Sequence, residues 1–343
     1  MIFSGVVSIL LFALITMLPL PYALMRPGPV LDVLSAPDGV PLIAIEGRQT
    51  YETDGTLDLL TVRVTGGPGT PSTVWEVLGG WVDQDVAVRP VDEVFPPEQS
   101  KEDVDADNAQ AMVTSQETAT AAAMTELDIS VPTTLTVAGF SPDSDAQGKL
   151  LDQDVVVSVE GKRIVDLPEL REELQQIEPG SPVRIGVERG GEQQDISFAT
   201  SEAEGRTVMG VFIDPTYDFP FSVQIKIEDI GGPSAGMMFA LGIVDKLTPG
   251  AMTGGERVAG TGTMDSDGAV GAIGGIQQKL VGADEAGADW FLAPADNCAE
   301  VVGNVPEGLR VVRVATLAEA RAAVEAIGSG DEAGISALAT CSG

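Results

Sequence analysis

Apolar and polar residues alternate from Phe221 to Ile230, with Val223, Ile225 and Ile227 on one face and Gln224, Lys226 and Glu228 on the other. That is the period of a half-buried strand. Val208–Ile213, Val258–Met264, Trp290–Ala293 and Leu309–Val314 read as further strands. Between them, Ser234–Leu247, Ile276–Ala286 and Leu317–Ile327 read as helices. The first is apolar almost all round and so predicts burial; the last opens with Thr316 and Glu319 at capping-box spacing. Strands alternating with helices predict an α/β unit in the C-terminal part.

Upstream the pattern changes to a mainly β unit. Leu135–Gly139, Val155–Val159, Val183–Val187 and Asp195–Phe198 read as strands, with a turn at Glu160-Gly161. A helix over Leu167–Ile177 has Asp166 and Glu169 at its start and an apolar stripe of Leu170, Leu174 and Ile177. Earlier still, Val40–Val94 contains strand-like runs with Trp75 and Trp81 as expected core anchors. Met112–Leu127 reads as an alanine-rich helix, and the acidic stretch Val91–Asn108 as a solvated loop. Met1 through Met25 carry no charged side chain, and Ile2–Leu18 is almost continuously apolar. This is close to the length of about 20 residues that spans a bilayer, so a single anchor helix is expected. A cleavable signal peptide is the alternative, although the start lacks basic residues and a small-x-small cleavage site.

Charge and composition narrow the chemistry. With 52 acidic against 19 basic residues and a formal net charge of -33, the chain is excluded as a nucleic-acid binder and is disfavoured on anionic lipid. It contains no histidine, so a Ser-His-Asp triad is impossible. Any nucleophilic serine must take its base from a lysine, a carboxylate or a terminal amine. Of the lysines in the C-terminal third, Lys226 falls on the solvent face of its strand and Lys246 at a helix C-terminus, where an ammonium is favoured. Lys279 follows Gly274-Gly275 at the start of a helix, where extra positive charge is disfavoured. Burial there would lower its pKa by about 3 units from about 10.4, into the range of a general base. The candidate nucleophile is Ser234 in Gly232-Pro233-Ser234-Ala235-Gly236, at the mouth of the buried helix, where free amides would face a developing oxyanion. A bland account also exists for each residue: an N-cap serine and a solvated lysine.

Taken together, Gly-Pro-Ser-Ala-Gly, the block Val258-Ala259-Gly260-Thr261-Gly262-Thr263-Met264, Asp267-Gly268-Ala269-Val270, Ile273-Gly274-Gly275 and Lys279 resemble the proteolytic domain of Lon proteases. The resemblance runs from about Gly205 to Ile327. It implies a Ser-Lys dyad: Ser234 as nucleophile, Lys279 as general base, and Thr261 as a hydroxyl that hydrogen-bonds the lysine, the alternative for Thr261 being an ordinary strand residue. Gly231 stands where many Lon proteins carry an acid, and Asp229 lies two residues too early to replace it. No Gly-x-x-x-x-Gly-Lys-Ser/Thr loop occurs, so proteolysis independent of ATP is expected, with no cofactor. Met264–Gly268 lacks the first ligand and the terminal glutamate of a calcium loop, Asp267-Gly268 reads as a hairpin turn, and no metal site is expected. Lon-type domains assemble into rings, which implies a homo-oligomer by analogy.

The upstream unit resembles a PDZ domain of the bacterial protease-associated type, which implies protein or peptide partners bound by strand addition. Glu126-Leu127-Asp128-Ile129, where a glycine-containing carboxylate loop is expected, has no glycine. Capture of free C-termini and a role as spacer or lid both stay open. The whole resembles bacterial membrane-anchored proteins that join a PDZ domain to a Lon-type domain.

The expected fold class is α+β multidomain: a transmembrane anchor at 1–25, a mixed segment at 26–126 packing on the proteolytic domain, a PDZ-like domain at 127–203, an α/β Lon-type domain at 204–328 and a flexible tail at 329–343. Cys298 and Cys341 are either a disulfide that staples the tail or two buried thiols; a disulfide would place the body outside the cytoplasm. The expected function is a single-pass membrane serine endopeptidase acting on membrane or secreted proteins. The rival is a noncatalytic membrane-anchored adaptor. A carboxylate-based hydrolase is a third class, for which no motif places two acids together.

Overall fold

The computed structural model describes residues 16, 19–96, 99–203, 205–227 and 230–341. The chain divides into two compact units, one made of Met1–Glu126 with Val223–Gly343, the other of Leu127–Ser222. The first begins with β1 (Tyr22–Asp32), β2 (Ile43–Glu46), β3 (Thr56–Thr65), α1 (Val74–Val82), β4 (Ala87–Pro90), the single turn α2 (Val91–Val94) and the long α3 (Lys101–Glu126). The second unit then contributes β5 (Thr133–Phe140), β6 (Val155–Val159), β7 (Lys162–Arg163), α4 (Leu167–Gln175), β8 (Pro182–Arg189), β9 (Glu192–Ala199), β10 (Ser201–Ala203), β11 (Arg206–Val208) and β12 (Val211–Tyr217). The chain returns through β13 (Ser222–Ile225), α5 (Gly236–Leu247), β14 (Arg257–Gly260), β15 (Thr263–Met264), β16 (Val270–Gly271), α6 (Ile276–Glu285), β17 (Trp290–Pro294), α7 (Cys298–Val301), β18 (Arg310–Val314), α8 (Leu317–Ser329) and α9 (Glu332–Ser336).

In the first unit a six-stranded sheet has the order β18-β17-β14-β3-β1-β4. β14 runs parallel to both β3 and β17, and β17 parallel to β18, while β1 is antiparallel to β3 and β4. β17 is buried at every position, as a parallel strand covered on both faces must be. α6 packs on β1 and β3, and α5 packs on β3, α3 and α8. α5 is buried from Gly236 to Asp245, which is why its sequence is apolar all round. Thr316 caps α8 by accepting the Glu319 amide at 3.1 Å.

The segment 26–126 is therefore no separate layer. Its β1, β3 and β4 complete the sheet to which β14, β17 and β18 belong. Trp75 and Trp81 are corrected from core anchors to surface residues of α1. The stretch from Val91 to Asn108 is corrected from a loop: it is helical over Val91–Val94 and again from Lys101, where Ser100 Oγ accepts the Asp103 amide at 3.1 Å and Lys101 pairs with Asp105 one turn on. The tail is ordered through Cys341: α9 follows the left-handed Gly330, Arg313 donates its amide to Ala339 O at 2.8 Å, and Cys298 and Cys341 form a disulfide. Residues 22–25 of the expected anchor belong to β1, and the rest of its apolar run, Thr16 apart, lies outside the described residues. Among the described residues no helix is long and apolar enough to cross a membrane.

The second unit holds a sheet of order β12-β5-β6-β8-β9, with β7 on β6, around a core of Leu135, Val137, Val156, Val183, Ile185 and Phe198. α4 opens as expected: Asp166 accepts the Glu169 amide at 2.8 Å and Glu169 accepts the Val165 amide at 3.0 Å. Asp154 is buried and held by two 2.7 Å bonds from the Arg189 fork, a geometry that compensates the loss of its hydration. The strand expected over Val208–Ile213 is broken at Gly210 (φ 68°), and β12 pairs along β5. It thus closes the second unit instead of opening the C-terminal domain.

Candidate active site

Thr261 follows the C-terminal end of β14, Ser234 precedes α5, and Lys279 lies in the first turns of α6. The carboxyl ends of parallel strands, where helix N-termini converge, are the usual place for a site in an α/β sheet. The three side chains meet there. Lys279 Nζ is 2.8 Å from Ser234 Oγ and 2.8 Å from Thr261 Oγ1. Thr261 Oγ1 donates in turn to the Ser234 carbonyl at 2.9 Å, so its lone pairs are left for the lysine.

The serine is not an N-cap. Ala235 holds that position in α5, and no side chain caps the helix. Its own backbone is pinned: the Ser234 carbonyl also accepts the Gly262 amide at 2.9 Å, and the Pro233 carbonyl accepts Ser115 Oγ at 3.1 Å. Among the described residues no acceptor meets the amides of Ser234 or Ala235, which sit at the positive end of α5. Gly232, at φ 90°, donates its amide to Asn108 O at 2.9 Å. A Cβ on Gly231 would lie 2.7 Å from Asn108 Cβ, so α3 fills the space that a side chain before Gly-Pro-Ser would need. This accounts for the glycine there. Asp229 lies outside the described residues.

Lys279 is 2% exposed although it is a lysine. Burial pushes its pKa down from 10.5 to about 7, and the uncapped start of α6 at the left-handed Gly275 acts in the same direction. The loop before α6 is fixed by Asn297, which accepts the Ile273 amide and donates to the Ile273 carbonyl, both at 2.9 Å. A cleft of about 430 Å³ opens over the dyad, lined by Leu60, Thr61, Val62 and Arg63 of β3, Met112 of α3, Ile230–Gly232, Ser234, Ala235, Gly274 and Lys279, with Pro29. Among the described residues no carboxylate lines it.

The remaining lysines separate as expected in place but not wholly in chemistry. Lys226 is exposed. Lys246 is half-buried at the end of α5, where burial lowers its pKa while Asp245 and Asp32 push it back up. The sequence also left out the contributions of α3 and β3. Asn108, Met112 and Ser115 lie far from Ser234 in the chain and follow no local motif, so only the long-range packing of α3 on α5 identifies them.

In the second unit, β12 is the end strand of its sheet and follows directly on Met209-Gly210. A glycine turn before an end strand thus occurs at the end of this unit, rather than at Glu126–Ile129.

Two family models match parts of this chain. The Lon protease (S16) C-terminal proteolytic domain matches residues 228–324, and the PDZ domain matches residues 113–200. Both domain types are found in this chain. Lon protease 1 of Bacillus subtilis (strain 168) is 30% identical over 128 residues, covering 36% of this chain and 16% of that protein. Lon protease of Clostridioides difficile (strain 630) is 32% identical over 110 residues, 31% of this chain and 14% of its own. That of Azospirillum brasilense is 39% identical over 89 residues, 25% and 11% respectively. The chain thus matches only 11 to 16% of the length of each of these relatives. Among solved structures, the PDZ domain of an SdrC-like protein from Listeria monocytogenes aligns with 23% of this chain and 85% of its own, at 16% identity and a TM-score of 0.22. The similarity to Lon proteases supports a serine peptidase.

Proposed function

We propose that the protein is an ATP-independent serine endopeptidase using Ser234 and Lys279, held to a membrane by its apolar N-terminal run and cleaving membrane or secreted proteins. One observation carries the reading: the buried Lys279 Nζ lies 2.8 Å from Ser234 Oγ at the floor of a cleft in which no described residue is an acid. As a neutral amine it donates one N–H to Thr261 and takes the Ser234 hydroxyl proton on its lone pair. Ser234 Oγ then bonds to the scissile carbonyl carbon, and the oxyanion faces the amides of Ser234 and Ala235. The Lys279 ammonium returns the proton to the leaving amine, which departs as the acyl-enzyme forms. Water, deprotonated by the same lysine, hydrolyses the ester and releases Ser234.

The chain carries no Gly-x-x-x-x-Gly-Lys-Ser/Thr loop, which supports ATP independence for this chain. The Cys298–Cys341 disulfide supports an extracytoplasmic body. For the PDZ unit we propose that an extended peptide adds to the outer edge of β12, with its carboxylate received at the Met209-Gly210 turn. The test is cleavage of an unfolded protein without ATP by the full chain, S234A and K279A. Cleavage by the native chain that is lost in both variants is expected. Equal cleavage by either variant removes the dyad, and absence of cleavage in all three favours the noncatalytic adaptor.

A further inference from the structure

Helix α1 turns more apolar surface outward than inward. Val77 and Gly80 face in, toward Leu24, Val86 and Val88. Trp75, Leu78, Trp81 and Val82 stand 54, 42, 62 and 85% exposed. A helix that only covers a core carries its polar side outward, so this face is made for something other than water. Tyr22 at the start of β1 meets Trp81 edge-on, with ring centroids 6.1 Å apart, and extends the aromatic group to the point where the chain enters the fold.

That entry point names the occupant. The Leu20 amide bonds the Ser72 carbonyl at 2.9 Å, and Thr73 is the N-cap of α1. The uncharged stretch Met1–Leu18 therefore ends within a few residues of this helix. If the stretch enters a bilayer, as the proposed function holds, α1 is fixed at the level of the headgroups. Indole suits that level, because it combines a large apolar body with one N–H donor. Glu76, Asp83 and Asp85 sit on or beside α1, so a surface of low negative charge is required.

We propose that the exposed face of α1 is a second membrane contact, with Trp75 and Trp81 in the interface of a weakly charged phospholipid bilayer beside the anchor. The inference rests on the anchoring reading, and the test separates the two. The chain has three tryptophans, and the third, Trp290, is buried with the Arg310 guanidinium 3.6 Å from its ring centroid. The full chain is incorporated into phosphatidylcholine vesicles with plain or brominated acyl chains, and tryptophan emission is compared between the native protein and W75F/W81F. Most of the native emission is expected to be quenched by bromine, and the residual emission of the double variant to be untouched. Protein that floats with the vesicles but shows equal emission in both lipids overturns the inference alone. Emission that is insensitive to bromine but changes on dilution also overturns it, in favour of a second copy of the chain on this face. Protein that does not float with the vesicles overturns the anchoring reading and this one with it.

Discussion

Lys279 and Lys246 belong to the same unit, sit on helices and are both withdrawn from water, yet they are prepared for different work. Lys279 is surrounded by two hydroxyls and apolar side chains, and burial pushes its pKa down to about 7. Lys246 has Asp245 and Asp32 within electrostatic reach, and its Nζ reaches the Leu34 carbonyl at 3.4 Å. The carboxylates oppose what burial does. The contrast teaches that depth alone does not make a base. What sets Lys279 apart is depth without a counter-charge among the described residues that line its cleft.

The largest effect should come from removing the dyad. S234A and K279A are each expected to lower kcat/KM by about 10⁴-fold or more with the fold retained, measured by peptide hydrolysis and circular dichroism. The next sharpens the comparison by giving Lys279 what Lys246 has. T261D places a carboxylate beside its ammonium, and the pH at which activity is half-maximal should move up by about 1–3 units. T261V removes the hydroxyl without adding charge and should cost about tenfold in kcat with no upward move of that midpoint.

In the native enzyme the neutral amine is the active form. Activity should therefore rise through about pH 7, and fall tenfold per unit below it. Stability follows the same group. Between pH 7 and 10.5 the unfolded chain holds a proton on Lys279 that the folded chain does not, so native stability rises with pH across that window. K279M removes this cost; its gain, on the order of 5 kcal/mol for a pKa lowered from 10.5 to about 7, should be greatest below pH 7 and vanish above pH 10.5, read from urea midpoints. The smallest effect on activity belongs to K246M, with turnover within about twofold of native. Its signature is in stability: loss of the ammonium leaves the carboxyl of Asp245, already raised by burial, without its cationic neighbour.

The same contrast between local and distant interactions decides what was legible in the sequence. Ser234, Thr261 and Lys279 could be singled out because each stands in or beside a short glycine-rich motif, and because Ser234 precedes an apolar helix while Lys279 lies on the helix that follows Gly274-Gly275. The core position of β1 and β3 was not legible, since strand order is set by pairings such as Gly260 with Leu59, which leave no mark on either segment. Trp75 and Trp81 were misplaced because α1 is apolar on both faces, and hydrophobicity by itself does not say which face is inside. β12 reads as a strand in any context; only its pairing with β5 assigns it to the PDZ unit. The tail was expected to be flexible from its small residues, but the disulfide at Cys341 ties it to α7.

The most direct test of the account is the titration of Lys279 itself, followed by NMR of isotopically labelled lysine in the S234A protein, where no turnover interferes. A midpoint near pH 7 is predicted, with Lys246 titrating separately. A midpoint near 10 would mean that Lys279 is an ammonium at neutral pH, and the account of the site as a Ser-Lys dyad would be wrong.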